Sequence, residues 1–292
     1  DLVAARPKVG KSVFADNVAV NVATNGIPVL VLDTEMSKED HLNRIIANLS
    51  GVPINEVATG KFIEDDEKNQ RVHEAVSQIE AMPYNYVSVA GKPFEQIVNI
   101  IKRWIIQDVK QDENGRTNDC VVVYDYLKLM SSNSITNNIQ EYQALGFQIT
   151  NLHNLAVKYD FPCLSFVQLN RDGITKESTD AVSGSDRLIW LCTSFSIFKI
   201  KSPEELAEDG PRAGNRKLVP IVSRHGAGLD DGDYINVRML GEYAKLEELR
   251  TRNEFLVMPV DDTGLIEGVD LDNVNEEVAE DGLEEDQKAP WE

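Results

Sequence analysis

Short apolar runs alternate along the chain with longer segments in which apolar residues recur every three or four positions. The short runs have the composition of buried strands. They cover residues 28–33, 84–89, 120–125 and 163–167. The longer segments are predicted to be helices, and they cover residues 38–49, 65–81, 94–109 and 139–159. This alternation is typical of an α/β protein with a mainly parallel central sheet flanked by helices.

The pattern changes in the last third of the chain. Three more strands are predicted at residues 192–200, 217–224 and 234–239, and we expect them to be antiparallel or edge strands. Residues 261–292 contain 13 acidic residues and one basic residue. A segment of this composition buries too little apolar surface to fold. We therefore expect one folded domain, residues 1–260, followed by a disordered acidic tail.

Charge and composition exclude several classes of protein. The net charge is −20, of which the tail contributes −12, so the domain itself is mildly acidic and has no broad basic surface for nucleic acid. Any nucleic-acid contact must come from a local patch or from a channel formed on assembly. No run approaches the ~20 apolar residues of a membrane span, and no secretory signal is visible, so we expect a cytoplasmic protein without a membrane partner. The cysteines are isolated in apolar surroundings and are expected to fill the core; they are Cys120, Cys163 and Cys192.

The strongest chemical signal is the segment Ala5-Arg6-Pro7-Lys8-Val9-Gly10-Lys11-Ser12. An apolar run precedes it and a periodic segment follows it, which is the strand–loop–helix setting of a nucleotide phosphate-binding loop. Backbone N–H groups and the helix dipole favour phosphate there, Lys11 would reach the β- and γ-phosphates, and Ser12 would ligate Mg²⁺. The predicted contacts with ATP and Mg²⁺ are Ala5, Arg6, Pro7, Lys8, Val9, Gly10, Lys11, Ser12, Val13 and Asp125. Because the strand is so short, we also expect further residues upstream of Asp1.

Acidic residues follow two of the predicted strands. Asp125 ends the run at 120–125, where it would hold Mg²⁺ together with Ser12. Glu35 follows the run at 28–33 and could orient the attacking water. Its rival is Asp33, two residues earlier and expected to be more buried.

Two more polar residues stand at strand ends. Gln168 follows the run at 163–167, and its amide could bond to a γ-phosphate and release it after hydrolysis. Arg224 precedes a glycine-rich turn and could act in trans on the nucleotide of a neighbouring subunit. A polar strand terminus and a surface arginine are the plainer interpretations of these two positions.

Five motifs occur in a fixed order along the chain. They are Ala5-Arg6-Pro7…Gly10-Lys11-Ser12, Asp33-Thr34-Glu35-Met36, Tyr124-Asp125-Tyr126-Leu127…Leu129-Met130, Gln168-Leu169-Asn170-Arg171 and Ser223-Arg224-His225-Gly226. Together they resemble the RecA-like motor domain of DnaB-type replicative helicases, including their phage versions. In that family alanine is usual at the first position of the loop.

The resemblance implies a RecA-like P-loop NTPase core that hydrolyses ATP at the interfaces of a hexameric ring, moves on single-stranded DNA and unwinds duplex. It implies that Glu35 is the catalytic base, that Gln168 senses the γ-phosphate and that Arg224 is a finger reaching the adjacent subunit. Lys11 and Ser12 would bind phosphate and Mg²⁺, and Asp125 would bind Mg²⁺. The polar loops 131–138 and 172–184 would line the central channel. Candidate DNA contacts there are Lys176, Ser183 and Gly184.

The chain departs from the family pattern at two places. Val222 stands where a lysine usually precedes the finger, and Ala181-Val182 stands where an Arg-Glu pair is usual. A RecA- or RadA-like recombinase that forms filaments, or a subunit that binds nucleotide and serves as a loader or scaffold, are the alternative hypotheses. The segments Glu35-Met36 and Gln168-Leu169-Asn170-Arg171 favour the helicase.

The expected partners are single-stranded DNA, further copies of the chain in a homo-hexamer, a primase and a polymerase. The tail ends in Trp291-Glu292, and an acidic segment with a terminal aromatic residue could dock into a basic, apolar pocket on the polymerase. The plainer interpretation is a solubilising tail. The setting would be the cytoplasm of a bacterium or of a phage-infected host.

Overall fold

A computed structural model describes residues 1–127, 141–169, 186–226 and 228–257. The chain divides into one compact unit, Asp1–Leu256, and a second unit, Val257–Glu292, of which only the first residue is described. In the described part of the chain, no helix combines the length and the apolar character needed to cross a membrane.

The centre of the first unit is a nine-stranded mixed sheet, counted over the described residues. Its strands are β1 (Leu2–Ala5), β2 (Val29–Asp33), β3 (Tyr84–Ser88), β4 (Val121–Asp125), β5 (Cys163–Gln168), β6 (Ser194–Ile200), β7 (Arg216–Ser223), β8 (Ile235–Leu240) and β9 (Lys245–Thr251). Their spatial order is β3-β2-β4-β5-β1-β6-β7-β8-β9. All pairs among β1 to β6 are parallel. The β6–β7, β7–β8 and β8–β9 pairs are antiparallel.

This arrangement confirms the mainly parallel sheet with antiparallel strands near the C-terminus. Residues 192–200 were expected to form an antiparallel or edge strand. This was wrong for the side of β6 that pairs with β1. β6 runs parallel to β1 and antiparallel to β7, so it lies in the interior of the sheet. Its apolar sequence fits this position, because Phe195, Ile197 and Phe198 are completely buried.

Nine α-helices occur in the described residues. They are α1 (Lys11–Thr24), α2 (Lys38–Ser50), α3 (Ile54–Thr59), α4 (Asp66–Ala81), α5 (Phe94–Trp104), α6 (Glu141–Tyr159), α7 (Asp186–Leu191), α8 (Pro203–Asp209) and α9 (Arg252–Val257). The predicted helix at 94–109 is α5 followed by a π-helical turn, Ile105–Val109. The first two residues of the predicted helix at 139–159 lie outside the described residues. The sequence pattern did not predict α7, α8, α9 or β9.

Helices pack on both faces of the parallel strands, which explains why these strands are apolar throughout. On one face, alternate strand residues such as Leu30 and Leu32 meet α5, whose buried residues recur at three and four positions. Those of α5 are Phe94, Ile97, Ile101 and Trp104. On the other face, Val29 and Val31 meet α1. Its alanines, Ala15, Ala19 and Ala23, let the helix that follows the phosphate loop approach the sheet closely.

The cysteines have the predicted structural role. All three are free, and Cys120 and Cys192 are buried. Cys163 is partly exposed and packs against the hydrophobic core on the α5 face of the sheet. Burial raises the pKa of each thiol, that of Cys120 to about 11.

A buried ion pair joins the strands near the C-terminus. Lys201, directly after β6, places its Nζ atom 2.7 Å from Oδ2 of Asp209 at the end of α8. The same ammonium group donates to the side chain of Asn236 and to the carbonyl oxygen of Ala213. Tyr234 donates its hydroxyl to Asp209. Both charged side chains are essentially inaccessible to solvent, so each depends on the others for hydrogen bonds.

Candidate nucleotide-binding site

The loop between β1 and α1 has the backbone of an anion-binding site. Lys8 and Gly10 have positive φ angles of 65° and 111°, and α1 begins at Lys11. Left-handed residues next to a helix N-terminus form a concavity lined by backbone N–H groups, which is where phosphate binds. A Cβ atom on Gly10 would lie 2.9 Å from Sδ of Met239. The loop therefore favours glycine at this position mainly for its φ angle, because the end of the flexible Met239 side chain can move.

Two arginines hold the loop against neighbouring strands. Nη1 of Arg6 donates to the carbonyl oxygen of Leu169 after β5, at 3.1 Å. Nε of Arg216 donates to the carbonyl oxygen of Val9, also at 3.1 Å. The guanidinium of Arg6, which the sequence assigned to nucleotide contact, thus has a structural bond. The sequence did not identify Arg216, because its role depends on the pairing of β6 with β7.

Ser12 and Asp125 meet below the loop. Asp125 ends β4, is buried and accepts a hydrogen bond from the Ser12 side chain. Burial raises the pKa of the Asp125 carboxyl to about 6, although the Ser12 hydrogen bond and the charge of Lys11 act in the opposite direction. Its Oδ1 atom is buried and has no hydrogen-bond partner among the residues the structure describes. An unpartnered carboxylate oxygen beside a serine hydroxyl is a suitable ligand pair for Mg²⁺.

The rival carboxylates Asp33 and Glu35 have different environments. Asp33 is buried, and its Oδ1 atom accepts the backbone N–H groups of Glu35 at 2.6 Å and Met36 at 2.8 Å. Burial raises the pKa of Asp33, and these two bonds oppose the shift. Glu35 is exposed at the same edge of the sheet as Asp125. Asp33 therefore shapes the turn, whereas Glu35 is an exposed residue beside the loop.

Tyr126 lies between two of the predicted site residues. Nζ of Lys11 is 3.5 Å from the centroid of its ring. Its hydroxyl donates to Oε1 of Glu35 at 3.0 Å. Tyr126 belongs to one of the five sequence motifs, but its contacts could not be predicted from the sequence, because they depend on two neighbouring strand ends meeting.

A buried pair behind this site was also missed. Asp16 on α1 and His41 on α2 are 5% and 2% exposed, and Oδ1 of Asp16 lies 3.2 Å from Nδ1 of His41. The other ring nitrogen of His41 is 2.9 Å from the hydroxyl of Tyr84. The imidazole stacks on Tyr86, which donates its hydroxyl to the carbonyl oxygen of Met36. These contacts connect the helix of the phosphate loop to the turn that carries Glu35.

The strand register places Gln168 next to the start of the loop. Gln168 is the last residue of β5, is exposed and is paired in register with Ala5. The N–H group after it, on Leu169, donates to the carbonyl oxygen of Ala5 at 3.0 Å. Lys11, Ser12, Glu35, Asp125 and Gln168 therefore all lie at the carboxyl edge of the parallel strands, where ligands bind to sheets of this kind.

Arg224 lies beyond the opposite ends of the parallel strands, away from the phosphate loop. β7 runs antiparallel to β6, so Arg216 pairs with Ile200 at the loop edge and Ser223 pairs with Ser194 at the far edge. Arg224 follows directly; its N–H donates to the carbonyl oxygen of Thr193 and its exposed side chain donates to the carbonyl oxygen of Trp190. The structure does not bring Arg224 to the nucleotide site of its own chain.

Comparison with known proteins assigns this arrangement to a family. The model of the DnaB-like helicase C terminal domain matches residues 1–183. The chain belongs to this family. The match begins at β1 and includes the phosphate loop, the turn after β2 and the ends of β4 and β5.

Curated relatives of this DnaB-like chain include replicative helicases of several bacteria. Replicative DNA helicase DnaB of Synechocystis is 28% identical over 171 residues, which cover 58% of this chain and 18% of that protein. The DnaB of Haemophilus influenzae is 28% identical, and the match covers 34% of its length. A probable plasmid replicative DNA helicase of Chlamydia trachomatis is 29% identical and 35% covered. The matched segment thus spans about a fifth to a third of these relatives.

Solved structures share the fold at lower identity. One ATPase domain superposes with a TM-score of 0.71 at 18% identity, covering 85% of this chain and 84% of that domain. A DnaB-like replicative helicase, solved in a study of its interactions with primase, has the same TM-score and identity and is 57% covered. These likenesses confirm the RecA-like fold of the DnaB-like chain.

Several predicted features cannot be located in this DnaB-like domain. Lys176, Ser183 and Gly184, the loops 131–138 and 172–184, the Ala181-Val182 departure and the acidic tail lie outside the described residues. Val222 is described; it lies in β7 and packs partly buried against the core. In the described part of the chain, no three His, Cys, Asp or Glu side chains form a metal-binding group.

Proposed function

We propose that this chain is the ATP-dependent motor of a replicative DNA helicase. It would hydrolyse ATP at the subunit interfaces of a hexameric ring, move on single-stranded DNA and unwind duplex. Membership of the DnaB-like family supports this function over the RecA- or RadA-like recombinase. The observation that carries the proposal is the hydrogen bond from Ser12 to the carboxyl group of Asp125, whose buried Oδ1 atom has no partner among the described residues.

The loop would bind the triphosphate of ATP. The backbone of residues 6–10 and the first turn of α1 supply N–H donors, and Lys11 supplies a positive charge for the β- and γ-phosphates. Lys11 now faces the ring of Tyr126, so it would turn from the ring to the phosphates when nucleotide binds. Arg6, Pro7, Val9 and Val13 would shape this cradle rather than neutralise charge.

Ser12 and Asp125 would hold Mg²⁺. When bound, the ion neutralises charge on the β- and γ-phosphates. Asp125 must be ionised for this role, and the Ser12 hydroxyl and Lys11 favour its charged form. Metal binding adds a further positive charge, which would stabilise that form more strongly.

Glu35 would orient the attacking water and accept its proton. Glu35 is an exposed residue at the loop edge, whereas Asp33 is buried and accepts two backbone N–H groups. Gln168, beside Ala5, would bond to the γ-phosphate and respond to its loss. The loop that follows Gln168 would carry this response to DNA through Lys176, Ser183 and Gly184.

Arg224 would complete the site of the adjacent subunit. It is exposed at the far edge of the sheet, which suits a residue that acts in trans and not on its own nucleotide. The remaining partners, a primase and a polymerase bound through the tail ending in Trp291-Glu292, belong to the same proposal. Deletion of residues 261–292 should leave ATP hydrolysis intact and abolish polymerase binding; unchanged binding would remove the tail from the proposal.

The function is tested by steady-state ATP hydrolysis with and without single-stranded DNA. We expect strong stimulation by DNA in the unaltered chain and its loss in Glu35→Gln. The matched control is Glu39→Gln, an exposed glutamate in the first turn of α2, which should behave like the unaltered chain. Normal activity of Glu35→Gln would show that another residue is the base, and DNA-independent hydrolysis would favour the scaffold hypothesis. Six-fold rings in negative-stain images, as opposed to filaments, would exclude the recombinase.

A further inference from the structure

Tyr126 contacts two residues of opposite charge that act on the same phosphate in the proposed reaction. Its ring covers the ammonium group of Lys11, and its hydroxyl donates to Oε1 of Glu35. Both contacts involve a side chain from another element: Lys11 opens α1, and Glu35 follows β2. One residue after β4 therefore connects the phosphate loop to the turn that carries Glu35.

The backbone around Tyr126 is fixed by the strands on both sides. The N–H group of Thr34 donates to the carbonyl oxygen of Asp125 at 2.9 Å, which joins the ends of β2 and β4. The N–H group of Leu127 donates to the carbonyl oxygen of Phe166 on β5, also at 2.9 Å. The partly buried side chain of Tyr126 packs against the core on the α1 face of the sheet. Its hydroxyl is therefore held at a defined place beside the loop.

Glu35 lacks such support from packing. It is exposed, and its backbone is fixed by the bond from its N–H group to Asp33, but that bond does not set the position of its carboxylate. A glutamate side chain has three rotatable bonds, and fixing it costs conformational entropy. The hydrogen bond from Tyr126 restricts these rotations and holds Oε1 of Glu35 beside the ring that covers Lys11.

We infer that Tyr126 is a positioning residue for Glu35: its hydroxyl holds the carboxylate where the attacking water must be oriented. Its ring covers Lys11 until phosphate takes the ammonium group. A bound triphosphate offers the ammonium group charged oxygens in place of this cation–π contact. The inference rests on the proposed role of Glu35 as base.

The inference predicts a separation of catalysis from binding. Tyr126→Phe keeps the ring over Lys11 and removes only the hydroxyl. We expect kcat for ATP hydrolysis to fall about tenfold or more, as for the loss of a hydrogen bond to a charged group. We expect KM and the Kd of a fluorescent ATP analogue to stay within about twofold. Tyr243→Phe, in the turn after β8, is the matched control and should leave kcat unchanged.

A double-variant cycle shows whether Tyr126 acts through Glu35. Glu35→Asp keeps a carboxylate but shortens the side chain, so the bond to Tyr126 is already lost. In this background we expect Tyr126→Phe to change the single-turnover rate by less than about twofold. The inference would be overturned if the rate losses of the two single variants multiplied in the double variant. It would also be overturned if Tyr126→Phe alone left kcat unchanged, whether or not it raised KM.

Failure of the proposed function has a different signature. If Glu35→Gln hydrolyses ATP normally, or if the unaltered chain does not hydrolyse ATP, the assignment of Glu35 as base is wrong. The positioning role of Tyr126 is then wrong as well. If Glu35→Gln is inactive and Tyr126→Phe is fully active, only the role of Tyr126 is wrong.

Discussion

The Oδ1 atom of Asp33 accepts the backbone N–H group of Glu35, 2.6 Å away, so that two carboxylates only two residues apart serve separate purposes. One is buried and satisfies backbone donors in the turn after β2. The other is exposed beside the phosphate loop.

This difference predicts opposite results for substitutions at the two positions. Asp33→Ala leaves the N–H groups of Glu35 and Met36 without their acceptor, and we expect the free energy of unfolding to fall by about 1–3 kcal/mol. Glu35→Gln removes an exposed charge, so its free energy of unfolding should stay within about 0.5 kcal/mol while ATP hydrolysis is lost. Guanidinium unfolding and an ATPase assay on both variants measure this. Equal stability of the two variants would contradict the structural role of Asp33.

Gly10→Ala should abolish nucleotide binding. The added methyl group meets Sδ of Met239 at 2.9 Å, and alanine is strained at a φ angle of 111°. Gly26→Ala is the matched control, because Gly26 also has a positive φ angle, 78°, but no atom lies within 4 Å of the new methyl group. We expect both variants to lose about 1 kcal/mol or more of stability and only Gly10→Ala to lose ATP affinity by calorimetry. Retained affinity in Gly10→Ala would show that the loop keeps its shape once the Met239 side chain moves aside.

Arg224→Ala should lower hydrolysis without lowering ATP affinity, because Arg224 lies away from the nucleotide site of its own chain. Mixing it with Glu35→Gln, which is inactive for a different reason, should restore part of the activity: an Arg224→Ala subunit has an intact Glu35 and can receive a finger from its neighbour. Arg103→Ala, an exposed arginine on α5, is the control and should remain active. A mixture as inactive as its components would argue against action in trans.

Asp209→Asn should destabilise the fold in a pH-dependent way. Burial opposes ionisation of Asp209, but bonds from Lys201 and Tyr234 and nearby positive charge outweigh it, so the pKa of Asp209 lies below its ordinary value of 3.8. The stabilisation from ionised Asp209 is present above about pH 4 and is lost as the pH falls through the lowered pKa. We expect Asp209→Asn to cost about 3–5 kcal/mol at pH 7, because Lys201 stays buried without its counter-charge.

That cost should begin to shrink as the pH falls below about 4, because the unfolded chain then binds a proton at residue 209, and it should continue to shrink as the pH falls through the lowered pKa of the folded chain. Denaturant unfolding of the unaltered chain and of Asp209→Asn between pH 7 and pH 3.5 measures this difference in the free energy of unfolding. Asp231→Asn, at an exposed position, should show no comparable cost at any pH. A pH-independent difference for Asp209→Asn would mean that packing, and not charge, dominates at this site.

The sequence predicted those parts of the fold that depend on apolar patterns. The predicted strand at 28–33 differs from β2 by one residue, since a run buried on both faces has no polar interruption. Helix α8 and strand β9 were missed because no residue of either is fully buried, so neither leaves an apolar signature. The capping box of α8, Ser202 with Glu205, was the available signal.

The site was predictable where function depends on residues near one another in sequence or at successive strand ends. Ser12, Asp125, Glu35 and Gln168 lie at one edge because parallel strands place their carboxyl ends together. The pair of Asp16 with His41, and the contacts of Tyr126, depend on how helices and turns pack after the strands are assembled. Such contacts have no fixed spacing in the sequence.

Lys11 and Arg224 occupy opposite ends of the same sheet. Under the proposed role of Arg224, each copy donates at one end and receives at the other, so copies associate head to tail. A closed ring then has as many complete sites as copies, whereas an open row always has one fewer. Hydrolysis per chain would rise with each copy added and reach its maximum only on closure, so the concentration of the protein would itself regulate the motor.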